Sequence, residues 1–470
     1  MNRRARMPGI AFITTLFLAA LAASSRAADP APGPAATAPR RPNFLFVITD
    51  DQRWDALGVV QREQGERARF PWFESPHMDR LASEGVRFRN AFVTLSICSP
   101  SRAAYLTGRY NHLNGITNNN TPFPLDSVTY ATLLRDAGYR TAYVGKWHMG
   151  EQRGQRPGFD HSASYFGHGE YMNWHYEVDG KVVGTKGWLD DSTTTFATDF
   201  MKANRDRPFA MVVAYKSPHI PRGGENLPER LANLYDDDTS RPVPSLGKPP
   251  IWRLPLAPGV PPSPGLAADA IHRDYFRHLK GIDENLGRLL GSLDELGLAE
   301  DTVVVYTSDN GYYLGEHCLG DKRSAYDESL RIPMLVRYPR VFGKGRTVDE
   351  MVLNIDLAPT FLDLAGVAVP AEMQGRSWKP LAAGERPADW RKSFLFEYFN
   401  LRNGGDTPNL VGIRTEREKL VTYPDHPEWT EVFDLEADPY EVKNLVADEA
   451  RTTRLEKELE AQKLATGYQP

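Results

Sequence analysis

The sequence predicts an α/β fold in which a mostly parallel sheet is flanked by helices and followed by a smaller C-terminal antiparallel-sheet subdomain. Three observations lead there. Short apolar runs that stop abruptly at polar residues alternate with amphipathic helical patterns, as expected of a parallel sheet covered on both faces. After about residue 390 the texture changes to several short β-rich runs and a charged terminal helix. A chain of 470 residues, 41% hydrophobic and 25% charged, also holds enough apolar material for one large core.

At the start, Arg3, Arg4 and Arg6 precede the apolar run "IAFITTLFLAALAA", and small residues follow near Ala27 and Ala28. This pattern predicts a cleaved export signal over 1–28 and a periplasmic or secreted protein. The run is too short for a membrane span, and no later stretch approaches about 18 apolar residues. Residues 29–41, rich in Pro and Ala, read as a flexible linker. The main α/β domain is expected over 42–389. Within it "PNFLFVITDDQ", "YRTAYVGKWHMG", "RPFAMVVAYKSPHIP" and "DTVVVYTSDNGYYLGEH" read as buried strands with polar ends. Between them "SPHMDRLASEG" opens on a Ser-Pro start signal, "VTYATLLRDAGY" closes at a glycine, and "DYFRHLKGIDENLGRLLGSLDELGL" is long and amphipathic. Residues 390–470 form the expected subdomain, with "KSFLFEYFN", "NLVGIRT", "EKLVTYP" and "TEVFDLEADP" as antiparallel strands. The net charge of -5 gives no broad electrostatic reason to bind nucleic acid or an anionic membrane.

Ligands of open α/β sheets sit beyond the carboxyl ends of the strands. Asp50, Asp51, Lys146, His148, His219, Asp309 and Asn310 all lie at such ends. Adjacent Asp50 and Asp51 cannot both be buried as anions without a compensating charge, so a cation is the simplest partner. With Asp309 and Asn310 the donor set is all oxygen, which points to a hard ion such as calcium or magnesium more than to zinc. The plainer reading of either acidic pair is a turn or helix cap. Lys146 and His148 are two residues apart and face one side if extended. Together with His219 and Lys322 they would suit a tetrahedral anion.

In "CSPSRAAYLTGR", Pro100 suits the first turn of a helix, with Ser99 or Ser101 as its cap and Cys98 at its N-terminus beside Arg102. Two readings of Cys98 stand at this point. It is a reactive thiolate, or it is half of a disulfide with Cys318, the only other cysteine, in an exported structural protein.

The same stretch resembles the type I sulfatase signature C-x-P-S-R followed by L-T-G-R. "FVITDDQRWDALG", "GKWHMG", "SPHIP", "SDNGYYLGEH", "DKRSAYDESLRIPMLVRYP" and "VFDLEADPYEVKNL" are similar to further blocks of that family, in the same order over essentially the whole mature chain. The resemblance is strongest toward bacterial carbohydrate sulfatases and the iduronate and glucosamine types. It implies the alkaline-phosphatase-like α/β fold. It also implies that Cys98 is oxidised to Cα-formylglycine (3-oxoalanine) by a formylglycine-generating or anaerobic sulfatase-maturating enzyme, and that the aldehyde hydrate is the nucleophile. Carried over residue by residue, Asp50, Asp51, Asp309, Asn310 and an oxygen of the modified Cys98 hold Ca2+. Arg102 and Lys146 hold the hydrate, His148 bonds its second hydroxyl, and Lys322 and His219 contact the sulfate. Asp309 assists the attack, His219 protonates the leaving alcohol, and His148 helps the sulfated intermediate collapse to aldehyde and sulfate. Cys318 falls where relatives commonly carry glycine.

The expected substrate is a sulfated carbohydrate, attacked at a chain end or in a short oligosaccharide. "GFDHSASYFGHGEYMNWHYEVDGKVVG" has the aromatic and polar side chains of a sugar-binding pocket mouth, although a surface hairpin with aromatic packing explains it equally well. Two competing functions use the same residues: a phosphomonoester or phosphonate monoester hydrolase of the same superfamily, and a non-catalytic exported sugar-binding protein.

Overall fold

The computed structural model describes residues 41–150, 152–254, 268–400 and 406–469. The expected export signal, and the linker except for Arg41, lie outside the described residues. The centre of the molecule is a ten-stranded sheet. From one edge to the other its strands are Arg346–Val348, Val86–Phe88, Met334–Arg337, Thr302–Ser308, Asn43–Thr49, Phe209–Ala214, Arg140–Lys146, His161–Tyr165, His175–Val178 and Lys181–Gly184. The five consecutive strands from Thr302–Ser308 to His161–Tyr165 are all parallel, so their carboxyl ends open on the same side.

The central strand Asn43–Thr49 shows why this sequence forms this sheet. Successive side chains of a strand point to opposite faces. Phe44, Phe46 and Ile48 enter one apolar cluster, and Leu45 and Val47 enter the other. All five are at most 2% exposed, and burying a side chain of this size stabilises the fold by about 1.5–3 kcal/mol. On the Phe44 face pack the helices Cys98–Thr107, Tyr130–Asp136 and Leu357–Ala365. On the opposite face lie Pro76–Glu84, Leu189–Ala203 and the 27-residue helix Asp269–Glu295. The long helix lays Ile282, Leu286, Leu289, Leu290 and Leu293 on the sheet, the i, i+4, i+7 stripe of an amphipathic helix.

The C-terminal antiparallel sheet is present as expected: Ser393–Tyr398, Leu410–Thr415, Glu418–Thr422 and Glu431–Asp434 pair in sequence order, and the charged helix Glu449–Thr466 follows. That helix buries Leu455 and Leu459. The aromatic segment 158–184 departs from the pocket-mouth expectation. It extends the main sheet by three strands, ending in an edge hairpin where Val182 is 71% exposed. The turn after Tyr165 reaches the strand ends where the acids and lysines gather, and so does Tyr171, whose hydroxyl donates to the His219 carbonyl at 2.6 Å. Among the described residues no helix is long and apolar enough to cross a membrane.

Candidate active site

The site is built from strand ends plus one helix start. Asp50 and Asp51 follow Asn43–Thr49, Asp309 and Asn310 follow Thr302–Ser308, and Lys146 closes Arg140–Lys146. His219 lies beyond Phe209–Ala214, between the cis peptides Ser217–Pro218 and Ile220–Pro221. The helix Cys98–Thr107, buried at all ten positions, supplies Cys98 and Arg102. Its N-terminus differs from expectation. The helix begins at Cys98 itself, so Ser99 and Ser101 lie inside the first turn and do not cap it. Asn119 takes that role from another segment, its Oδ1 accepting the Ser99 N–H at 3.0 Å. His148 also arrives by another route than simple strand alternation. Lys146 ends the strand, and His148 sits in the left-handed region at φ 54°, as Asp51 does at 74°.

The side chains interlock. Arg102 Nε donates to Asp309 Oδ2 at 2.9 Å, Nη2 to Asp50 Oδ2 at 3.3 Å and Nη1 to the Lys146 carbonyl at 2.6 Å. Lys146 Nζ also donates to Asp50 Oδ2. Lys322 Nζ donates to Asp51 Oδ1 at 2.5 Å, and Asn310 Nδ2 reaches the same oxygen at 2.7 Å. The Cys98 thiol lies 3.4 Å from Asp50 Oδ1. Cys98, Asp50, Asp51 and Asp309 form a floor with no exposed surface, whereas Lys322, His148 and His219 are 4%, 7% and 8% exposed and form the rim.

Burial in this crowded setting moves the proton affinities. Desolvation outweighs Arg102 at Asp309, and with the neighbouring Asp50 charge it pushes that carboxyl up to about 7. Asp50 stays well below the usual carboxylate range: its burial is overcome by Lys146, His219, Arg102 and Lys322. Burial and the Asp50 charge push the Cys98 thiol up to about 12, which favours the protonated thiol over a thiolate despite the helix start. The disulfide reading fails, because Cys98 and Cys318 are not bridged. Burial, then Lys146, lowers both His148 and His219. His219 Nδ1 donates to the Ile220 carbonyl at 2.6 Å, which leaves Nε2 facing Asp51 Oδ2 at 3.9 Å.

The donor chemistry fits a hard cation. Asp50, Asp51 and Asp309 each offer a carboxylate oxygen, and Cys98 its sulfur, within 4.8 Å of one another, and it is the oxygens that suit a hard ion. Asp51 Oδ2 and Asn310 Oδ1 are buried with no hydrogen-bond partner among the described residues. Orphaned buried oxygens of this kind are costly unless something positive meets them.

Two residues near the site were not singled out from the sequence. His168, in the turn after Tyr165, stands 3.0 Å from Lys146 Nζ, with its ring 4.0 Å from that of His148 and 4.3 Å from that of His219. It lies three residues beyond the strand His161–Tyr165, and the turn between Gly167 and Gly169 that brings it to Lys146 has no strand-end signature. Lys216 lies beneath, its ammonium 4.7 Å from the Tyr171 ring, and burial beside Lys146 lowers it to about 8.

Comparison with known proteins now decides the family, because the sulfatase family model matches residues 42–367. The chain belongs to the sulfatase family. A second model, the C-terminal region of N-sulphoglucosamine sulphohydrolase, matches residues 315–467. The N-acetylglucosamine-6-O-sulfatase of Bacteroides thetaiotaomicron is 34% identical to this sulfatase over 89% of the chain and 85% of its own length. A solved structure in complex with its substrate D-glucosamine-2-N,6-O-disulfate superposes with a TM-score of 0.80 at 31% identity, covering 91% of this chain and 98% of that one. The phosphonate monoester hydrolase of Silicibacter pomeroyi superposes at 0.71 with 25% identity, covering 90% and 95%. This sulfatase is a sulfuric ester hydrolase, and its expected kinship with bacterial carbohydrate sulfatases is borne out.

Proposed function

We propose that this sulfatase hydrolyses sulfate monoesters on an exported route, at the end of a sulfated carbohydrate or in a short oligosaccharide. Residues 42–389 would form the catalytic domain, and 390–470 the subdomain that braces it. The observation that supports this reading best is the charge balance of the site. Asp50, Asp51 and Asp309 are matched by Arg102, Lys146 and Lys322. A divalent cation held by the acids would therefore leave a net positive pocket suited to an anion. Asp50, Asp51, Asp309, Asn310 and an oxygen of modified Cys98 would hold Ca2+, whose chemistry is to draw charge from oxygens developing negative character. Formylglycine at Cys98, made by a separate maturating enzyme, would supply a nucleophilic hydroxyl in place of a thiol that burial keeps protonated.

The remaining work belongs to the chain's own side chains. Arg102, fixed by three hydrogen bonds, and Lys146 orient the nucleophile, and Lys322 and His219 receive the sulfate at the rim. His148, whose Nδ1 is buried with no hydrogen-bond partner among the described residues, would take a proton from the second hydroxyl. His219 is neutral in the resting geometry, and its Nε2 presents a lone pair. An entering sulfate ester adds negative charge beside it and raises its proton affinity, so His219 becomes the acid for the leaving alcohol once substrate binds.

The relatives named for glucosamine sulfates make sulfated glucosamines the first substrates to test. Protein matured in its host should release inorganic sulfate from 6-O-sulfated glucosamine or N-acetylglucosamine, and should prefer an aryl sulfate to the matched aryl phosphate and phosphonate. A mass spectrum of the peptide containing Cys98 should show one oxygen gained in exchange for hydrogen sulfide. A strong phosphate or phosphonate preference would replace this reading with the phosphonate monoester hydrolase one, which the Silicibacter pomeroyi likeness keeps specific.

A further inference from the structure

We infer that His168 is a positioning residue for the sulfatase reaction: its Nδ1 holds the Lys146 amine in the place from which that lysine acts. The inference rests on the role given to Lys146 above. The turn that delivers His168 is built for the purpose. Gly167 and Gly169 flank it at φ 57° and 64°, in the left-handed region that favours glycine. A Cβ on Gly169 would lie 2.8 Å from the ring of Tyr165, itself 1% exposed. Larger residues at this position would push the turn away from the strand ends.

Lysine is a donor only, so the 3.0 Å contact requires that His168 Nδ1 accept and that the ring be neutral with its proton on Nε2. The adjacent ammonium and burial keep it so, lowering its pKa to about 2. Two acceptors, Asp50 Oδ2 and His168 Nδ1, thus fix two of the three Lys146 donors and leave the third to face the reacting group. Without His168 the ammonium would be steered by Asp50 alone and drawn toward the floor. The ring also stands beside His148 and His219 at centroid distances of 4.0 and 4.3 Å, with interplanar angles of 51° and 26°.

The test compares His168→Ala, His168→Asn and His168→Gln with the wild type and Lys146→Ala, all verified by mass as equally modified at Cys98. Asparagine places its amide oxygen near the position of Nδ1, whereas glutamine places its amide near Nε2. With an aryl sulfate, H168A should lower kcat about 10-fold to 100-fold while KM changes by less than about 3-fold. H168N should recover most of the loss and H168Q little of it. The inference is overturned if H168A keeps wild-type kcat, if it raises KM alone, or if Asn and Gln behave alike. If H168A fails to fold, the Asn and Gln pair still decides. Undiminished turnover by K146A is a separate result, and it would overturn the underlying role of Lys146.

Discussion

Gly145 controls where Lys146 points. Its φ is 100°, and a Cβ there would lie 2.0 Å from the carbonyl oxygen of Ala214 on the neighbouring strand. Gly145→Ala must therefore strain the backbone and force apart two strands whose ends carry Lys146 and His219. We expect a loss of at least about 2 kcal/mol in stability and a larger proportional loss of kcat, read by thermal unfolding and turnover of the same sample. Wild-type values for both would refute the close approach. Asp50, Asp51, Asp309 and Asn310 were legible because two such pairs share strand-end placement, although either pair alone reads as a turn or cap. His168 was not, since its relevance depends on a two-glycine turn bending it back over Lys146. The cap of the Cys98 helix is not legible either: Asn119 lies beyond that helix and has no local sequence signature.

At the scale of elements, the C-terminal sheet hides a titration. Glu431, on its last strand, accepts hydrogen bonds from Tyr326 at 3.0 Å and Tyr423 at 2.7 Å. Burial outweighs those bonds and pushes its carboxyl from the ordinary 4.5 up to about 7. The folded protein then binds this proton more tightly than the unfolded chain does. The associated stabilisation is complete below about pH 4.5 and is lost as pH rises through about 7. At about 1.4 kcal/mol per unit, the whole effect is about 3 kcal/mol. Glu431→Gln keeps the shape without the charge, so its melting temperature should gain on that of the wild type between pH 4.5 and 7 and hold the gain above. A difference that does not change with pH would show that Glu431 is not buried as described. The existence of these strands was readable from alternating β-rich runs. Glu431's partner Tyr326 was not, because it lies more than a hundred residues earlier.

For the whole molecule, the parallel core was legible from apolar runs with polar ends, but strand order was not. Nothing local announces that Met334–Arg337 inserts antiparallel between Thr302–Ser308 and Val86–Phe88, because that choice is made by distant packing. The proposed cation site joins two central strands and the Cys98 helix, so its occupancy should be felt globally. Chelation should lower the melting temperature and added Ca2+ should restore it, the stabilisation at a hundredfold excess over Kd being about 2.7 kcal/mol. An unchanged melting temperature would exclude the site. The complete burial of the Cys98–Thr107 helix also sets an order of events. Any protein that alters Cys98 must reach it before the core closes, in a race against folding. If Cys98 is modified as proposed, a chain that folds too early would stay in its thiol form, and two preparations with the same sequence and fold would differ permanently in activity according to how they were made.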